Sequence, residues 1–212
     1  QQYNQFLSEN KVIKGTTDAK RIETIGTKIK VASERWLAAN GHADYLEGYA
    51  WEYKLVDSKE VNAWCMPGGK IVFYTGILPI CKDDAGIAAV MGHEVAHALA
   101  NHGQQRMSAG LLQQLGAVGT QVAVGNKDPQ TQALIMQAYG VGTEVGLMLP
   151  FSRKHELEAD RYGLIWTAMA GYDPREALVF WDRMEKASGG QQVPEFLRTH
   201  PSDAKRKEKI KS

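Results

Sequence analysis

At 212 residues the chain is long enough for one compact domain with a core of its own. Hydrophobic residues make up 43% and charged residues 23%, the balance of an ordinary globular protein. A formal net charge of +1 excludes the strong positive field of a general nucleic-acid binder, so no nucleic-acid partner is expected.

The chain opens on Gln1-Gln2-Tyr3, which is neither an initiator Met nor a signal peptide. The expectation is that a signal sequence or lipid anchor lies outside this stretch and provides any membrane association. Asp18 to Ala39 reads as a helix, with Ile22, Ile25, Ile29 and Trp36 near one face and Gly41 as its stop. A β-rich section follows: Tyr49 to Val56, then Val61 to Met66 and Lys70 to Thr75, the last two joined by Pro67-Gly68-Gly69. This predicts a small sheet of about three strands.

From Asp84 the pattern turns helical, capped by Asp83 or Asp84 and stopped by Gly103. Two apolar segments rich in Gly and Ala come next, Met107 to Val124 and Pro129 to Leu149, with a turn at Asn126-Lys127-Asp128-Pro129. They read either as close helix packing through small residues or as a mobile cover. The longest apolar run, Leu134 to Phe151, is broken by Gln137, Glu144 and several glycines, so no transmembrane segment is expected. After Pro150 a helix capped by Ser152 runs to Gly171. Another starts at Asp173-Pro174 and ends at Ser188-Gly189-Gly190, and a short one follows Pro201. Cys65 and Cys81 form no CxxC pair and read as two small, semi-buried residues; the sequence does not decide whether they are bonded.

The informative stretch is Met91-Gly92-His93-Glu94-Val95-Ala96-His97. Histidines four apart on a helix lie on one face, one turn apart, so His93 and His97 can converge on one metal ion. Glu94 stands beside the first histidine and can reach a water on that ion without being a ligand. Apolar residues flank the motif on both sides, and a buried helix does not carry two histidines and a glutamate without partners. His155-Glu156 is not a second copy, because Ala159 stands where a histidine would be needed. It offers carboxylates instead: Glu156 and Asp160 are one turn apart. One could be a third ligand and the other could accept the free N–H of a ligand histidine. On spacing alone the third ligand stays open among Glu156, His102, His155, Glu158 and Asp160. His102 lies about 500° of helical rotation past His97, off the metal face, and Glu158 points away from Glu156.

These residues together resemble the zinc metallopeptidase family that includes HtpX, the CAAX prenyl proteases, the mitochondrial Oma-type proteases and the bacterial proteins BepA and LoiP (metallopeptidase family forty-eight). Four motifs in order carry the resemblance: Asn62 to Gly69, His93 to His97, Ser152-Arg153 through Glu156 to Asp160, and Thr199-His200-Pro201 followed by Arg206. The absence of transmembrane helices favours the soluble BepA/LoiP-like branch. What the resemblance implies is an α+β, mainly helical, gluzincin-type metallopeptidase domain over residues 1–212. In it, 18–40 is the N-terminal helix, 48–76 the sheet, 84–102 the metal helix and 152–171 the third-ligand helix. It selects Glu156 as third ligand to one Zn2+ and brings in His200 near the metal. Glu94 is then the base, His200 the donor to the developing oxyanion or a cap on the resting zinc, and Arg206 its aid. The strand from Lys70, with Ile71, is expected to be a sheet edge on which a peptide pairs, beside Asn62, Gly68 and Gly69; the plain alternative is a hairpin turn. The expected substrates are unfolded or misassembled polypeptides, in a periplasmic or outer-membrane-associated setting. The alternative is a latent metallopeptidase that mainly binds clients. The oligomeric state is not indicated.

Overall fold

The computed structural model describes residues 2–66, 68–100, 153–189, 193–202 and 204–212. The Gly/Ala-rich segments 107–124 and 129–149, the Gly103 stop, the Ser152 cap, Pro67 and His102 lie outside the described residues. In chain order come α1 (Gln2–Glu9), β1 (Val12–Ile13), α2 (Thr17–Ala39), a 3-10 turn (Ala43–Leu46), β2 (Glu52–Val56), β3 (Ala63–Met66) and β4 (Lys70–Tyr74). A second 3-10 turn (Thr75–Ile77) leads into α3 (Leu78–Cys81) and α4 (Asp84–Leu99). Then follow α5 (Arg153–Met169), α6 (Glu176–Ala187), α7 (Glu195–Thr199) and α8 (Ala204–Lys211). The fold is α+β and mainly helical.

The sheet has four strands, not three, in the order β1-β2-β4-β3. The extra strand, β1, is two residues long and pairs antiparallel with β2, too short to leave a pattern in the sequence. β2 and β4 run parallel, from Glu52↔Lys70 to Val56↔Tyr74, and β3 pairs antiparallel with the far side of β4. The expectation that the strand from Lys70 forms an edge is therefore corrected: β4 is central. The physical reason is visible in its composition. Ile71, Val72, Phe73 and Tyr74 are all buried, and a strand covered on both faces cannot alternate with polar residues. The free edges among the described strands are β1 and β3.

One face of the sheet turns Leu55, Ala63, Cys65, Ile71 and Phe73 toward the main core under α2 and α4. The other face is covered by α1, whose Tyr3, Phe6 and Leu7 pack on Val56, Val72 and Tyr74. The β3–β4 turn uses Gly69 at φ +93, and a side chain there would also strike the Trp51 ring at 2.8 Å. Cys65 and Cys81 are both buried and unbonded to each other.

α2 starts where Thr16 accepts a hydrogen bond from Ala19 N–H at 3.2 Å and buries the stripe Ala19, Ile22, Ile25, Ile29 and Leu37. Asp83 caps α4 by accepting from Gly86 N–H at 3.0 Å. Every residue of α4 from Ile87 to Leu99 is buried except the partly covered Ala89, so this helix is the central rod. It crosses α5 at very close range. A Cβ on Gly92 would lie 2.4 Å from Thr167 Oγ1 and 2.8 Å from the Gly163 carbonyl, and one on Gly163 would meet the backbone of Gly92 and His93 at 3.0 Å. Two glycines facing each other let the backbones of α4 and α5 meet directly. That contact sets the histidines of one helix against the carboxylates of the other.

Candidate metal centre

His93, Glu94 and His97 project from α4, Glu156 and Asp160 from the first turns of α5, His200 from the end of α7, and Arg206 from α8. All seven are buried. One ligand atom each from His93, His97, Glu156 and His200 lie within 4.8 Å of one another. His93 Nε2 is 3.0 Å from His97 Nε2 and 3.1 Å from Glu156 Oε2, and His97 Nε2 is 2.8 Å from Glu156 Oε1. Ligands held tetrahedrally at about 2.0–2.1 Å from a zinc ion stand about 3.3 Å apart, so these three donors are spaced to share one.

Three further observations fit a cation here. The His93 Nδ1–H points at Asp160 Oδ1, 3.1 Å away, which leaves the Nε2 lone pair facing the centre. Both oxygens of Glu94 and both of Glu156 are buried without a well-aligned hydrogen bond, despite their short contacts. Glu94, Glu156 and Asp160 each bring one negative charge and Arg206 one positive, so with neutral imidazoles the buried cluster carries a net charge of minus two. Buried charge without compensation is costly, and a dication would cancel this one.

The proton affinities without metal follow from the same contacts. Burial opposes charge on His93, yet Glu156 and Asp160 beside it raise its pKa to about 9. Burial dominates at His97 and pushes it down to about 3. Burial alone would raise the Glu94 carboxyl, but His200, with His97 and His93, holds it below the usual range. Glu156 lies well below that range against its burial, through His93, His200 and His97. Asp160 is lowered against its burial by Arg206 and His93.

His200 Nε2 stands 2.9 Å from Glu94 Oε1. Its other nitrogen, Nδ1, is 2.9 Å from Thr199 Oγ1 and 3.2 Å from the Phe196 carbonyl. Arg206, expected to aid His200, holds two carboxylates. Its Nε and Nη2 donate to the two oxygens of Asp160 at 2.8 Å each, and its Nη1 reaches Glu156 Oε2 at 2.8 Å and the Pro201 carbonyl at 2.7 Å. The guanidinium also lies over the Trp181 ring, 4.4 Å from its centre.

The four residues expected to meet substrate are not drawn into this cluster. Asn62 spends its amide locally, donating to Glu60 and accepting from Ala63 N–H. Ile71 is fully buried in the central strand, and Gly68 and Gly69 form the β3–β4 turn, both at positive φ. His155 and Glu158 take no part in the four-donor group. Sequence reasoning missed Trp181 and Phe196, which pack against the site. Trp181 lies on the buried stripe of α6 with Ala177, Phe180 and Met184, so its spacing signals only core packing.

Comparison with known proteins agrees with this geometry. The model of peptidase family M48 matches residues 29–212. The chain is 40% identical over 168 residues to the mitochondrial metalloendopeptidase OMA1 of Arabidopsis thaliana, covering 79% of this chain and 32% of that protein. It is 36% identical over 178 residues to its counterpart in Schizosaccharomyces pombe, covering 84% and 49%. The β-barrel assembly-enhancing protease of Escherichia coli is 28% identical over 158 residues, covering 71% and 32%. The chain thus spans about a third to a half of the length of these relatives. The expectation of a periplasmic or outer-membrane setting rested on likeness to the BepA/LoiP branch, and it is overturned. The relatives of higher identity are mitochondrial by name. No described helix is long and apolar enough to cross a membrane. The chain belongs to peptidase family M48.

Proposed function

We propose that the protein is a zinc-dependent endopeptidase in which His93, His97 and Glu156 hold the metal and Glu94 is the base. The observation that carries this reading is the buried three-donor triangle of His93, His97 and Glu156. Two imidazoles and a carboxylate suit zinc. A bound zinc ion supplies Lewis-acid polarisation of the scissile carbonyl and acidifies water. Glu94 accepts the proton from the attacking water and passes it to the leaving amine; its lowered pKa keeps it ionised for the first of these steps. Asp160 fixes the His93 tautomer by accepting its Nδ1–H. Arg206 holds Asp160 and Glu156 together, and His200 donates to the oxyanion that forms opposite Glu94.

The edge of β3 is the better candidate for pairing with an extended substrate than the buried β4. Among the described strands β3 is the last in the order, and it packs against α4. Ile71 then acts only by supporting β3 from behind, while Gly68 and Gly69 shape the turn at its end. The substrates are unfolded or misassembled polypeptides, and the role is protein quality control. The name of the assembly-enhancing relative supports that reading.

Cleavage of an unfolded protein such as reduced casein should stop on chelation and return with zinc. Cleavage that survives full metal removal would refute the proposal.

One observation favours a second reading, a latent site that mainly binds clients. His200 is itself among the four donors within 4.8 Å, so it can close the fourth position. Under latency, His200→Ala raises casein cleavage; under the primary reading it lowers it.

A further inference from the structure

The aromatic residues beside the site form one continuous stack. The Arg206 guanidinium lies over the Trp181 ring at 4.4 Å. Trp181 is stacked on Phe196, with centroids 5.5 Å apart and planes 23° apart. Phe196 is stacked on His200 at 4.2 Å and 21°. The two ends of the stack are the two polar side chains that the C-terminal part of the chain brings to the site. Arg206 grips Glu156 and Asp160 at one end, and His200 faces Glu94 at the other. Trp181 also presents its ring to His93, at 5.8 Å and 74°.

We propose that Trp181 and Phe196 are positioning residues that hold Arg206 and His200 in a single arrangement, so that the carboxylate clamp and the oxyanion donor are set together. The inference rests on the metal-site reading above for its effect on zinc, but the coupling itself is a property of the side chains alone.

Three physical facts support it. First, Arg206 and Trp181 are both buried, where an aromatic face contributes most to a guanidinium. A planar cation tied by its edge to two carboxylates keeps its faces for stacking, and Trp181 takes one. Second, His200 meets Thr199 and Phe196 through Nδ1 and Glu94 through Nε2. Face-to-face packing on Phe196 sets the plane and so aims Nε2. Third, the stack joins separate elements. Trp181 sits on α6, Phe196 and His200 on and just after α7, and Arg206 on α8. The Phe196 N–H donates to the Val61 carbonyl at 3.1 Å, which ties the stack to the segment just before β3. A general packing role would make the site sensitive to lost volume. A positioning role makes it sensitive to loss of the aromatic face at equal volume.

Replacing Trp181 by Phe or by Met separates the two, because both leave holes of similar size and only Phe keeps a ring. Two readouts are taken. The first is zinc affinity by chelator competition. The second is the chemical shift of the His200 ring protons in metal-free protein. The expected result is that Trp181→Met weakens zinc binding about tenfold and moves the His200 signals, while Trp181→Phe stays within about twofold and leaves them in place. Phe196→Met should reproduce the loss, and serves if Trp181→Met does not fold. Equal effects of Trp181→Phe and Trp181→Met on both readouts would overturn the proposal. If the wild-type protein bound no zinc, the metal reading would fall, and the His200 signals of the metal-free variants would still decide the coupling.

Discussion

Glu156 shows at the level of single residues what helical spacing does and does not reveal. His93, Glu94 and His97 are legible because ligands one turn apart on one helix obey local geometry. Glu156 comes 59 positions after His97, and spacing alone leaves the third ligand open until the resemblance selects it. Arg206 was legible as a participant, but only the fold shows its guanidinium on Asp160 and Glu156. Its removal should therefore act on the metal ligands. Arg206→Met leaves two buried carboxylates without their cation. It should destabilise the zinc-free protein by about 3–5 kcal/mol, read as a lower midpoint in urea; an unchanged midpoint would contradict the assignment. His93 gives a pH prediction. Its pKa is raised from the model-peptide value of 6.5 to about 9 in the folded, metal-free protein. A raised histidine stabilises the fold fully below pH 6.5, and that contribution is lost as pH rises through about 9. Metal-free protein should become less stable across that window. Zinc binding at pH 7 must displace the His93 proton, whereas His97, depressed to about 3, has none to give. Calorimetry in two buffers of different ionisation enthalpy should detect about one proton released per zinc; no release would contradict it.

Between secondary-structure elements, the close crossing of α4 and α5 decides whether the site exists. Gly92 reads in sequence as one more small residue before the motif, and Gly163 as an interruption of a helix that costs propensity. Their facing positions depend on how two distant helices cross, which no local pattern encodes. Gly163→Ala places a methyl 3.0 Å from the backbone of Gly92 and His93, where no flexible side chain can give way. It should cost about 1–3 kcal/mol of stability and weaken zinc binding by parting His93 from Glu156. Equal zinc affinity in that variant, measured by chelator competition, would show that the crossing does not set the site. The sheet teaches a related lesson. Val61–Met66 and Lys70–Thr75 were legible as strands joined by a glycine turn, but their order was not. The parallel partner of β4 is β2, from an earlier stretch of chain, and the unbroken apolar run from Ile71 to Tyr74 was the available sign that β4 is central.

For the whole molecule, the fold class was legible because helical and strand periods separate cleanly along the chain. Short elements at the ends, α1, β1 and α7, were not, since two to eight residues leave little periodicity. Yet α7 and α8 bring His200 and Arg206 back to a centre begun at His93. The cellular setting was misread for a different reason. It rested on a branch of the family chosen by the lack of membrane helices, a property that does not define location. The proposed chemistry depends on none of this: three carboxylates, one guanidinium and three imidazoles are buried together, with the proton transfer proposed for Glu94. The most direct test is Glu94→Gln, measured for zinc content and for cleavage of an unfolded protein in the same preparation. The account predicts one zinc per chain, as in wild type, and cleavage lowered about 10²–10⁴-fold. Cleavage near the wild-type rate by the zinc-loaded variant would contradict it.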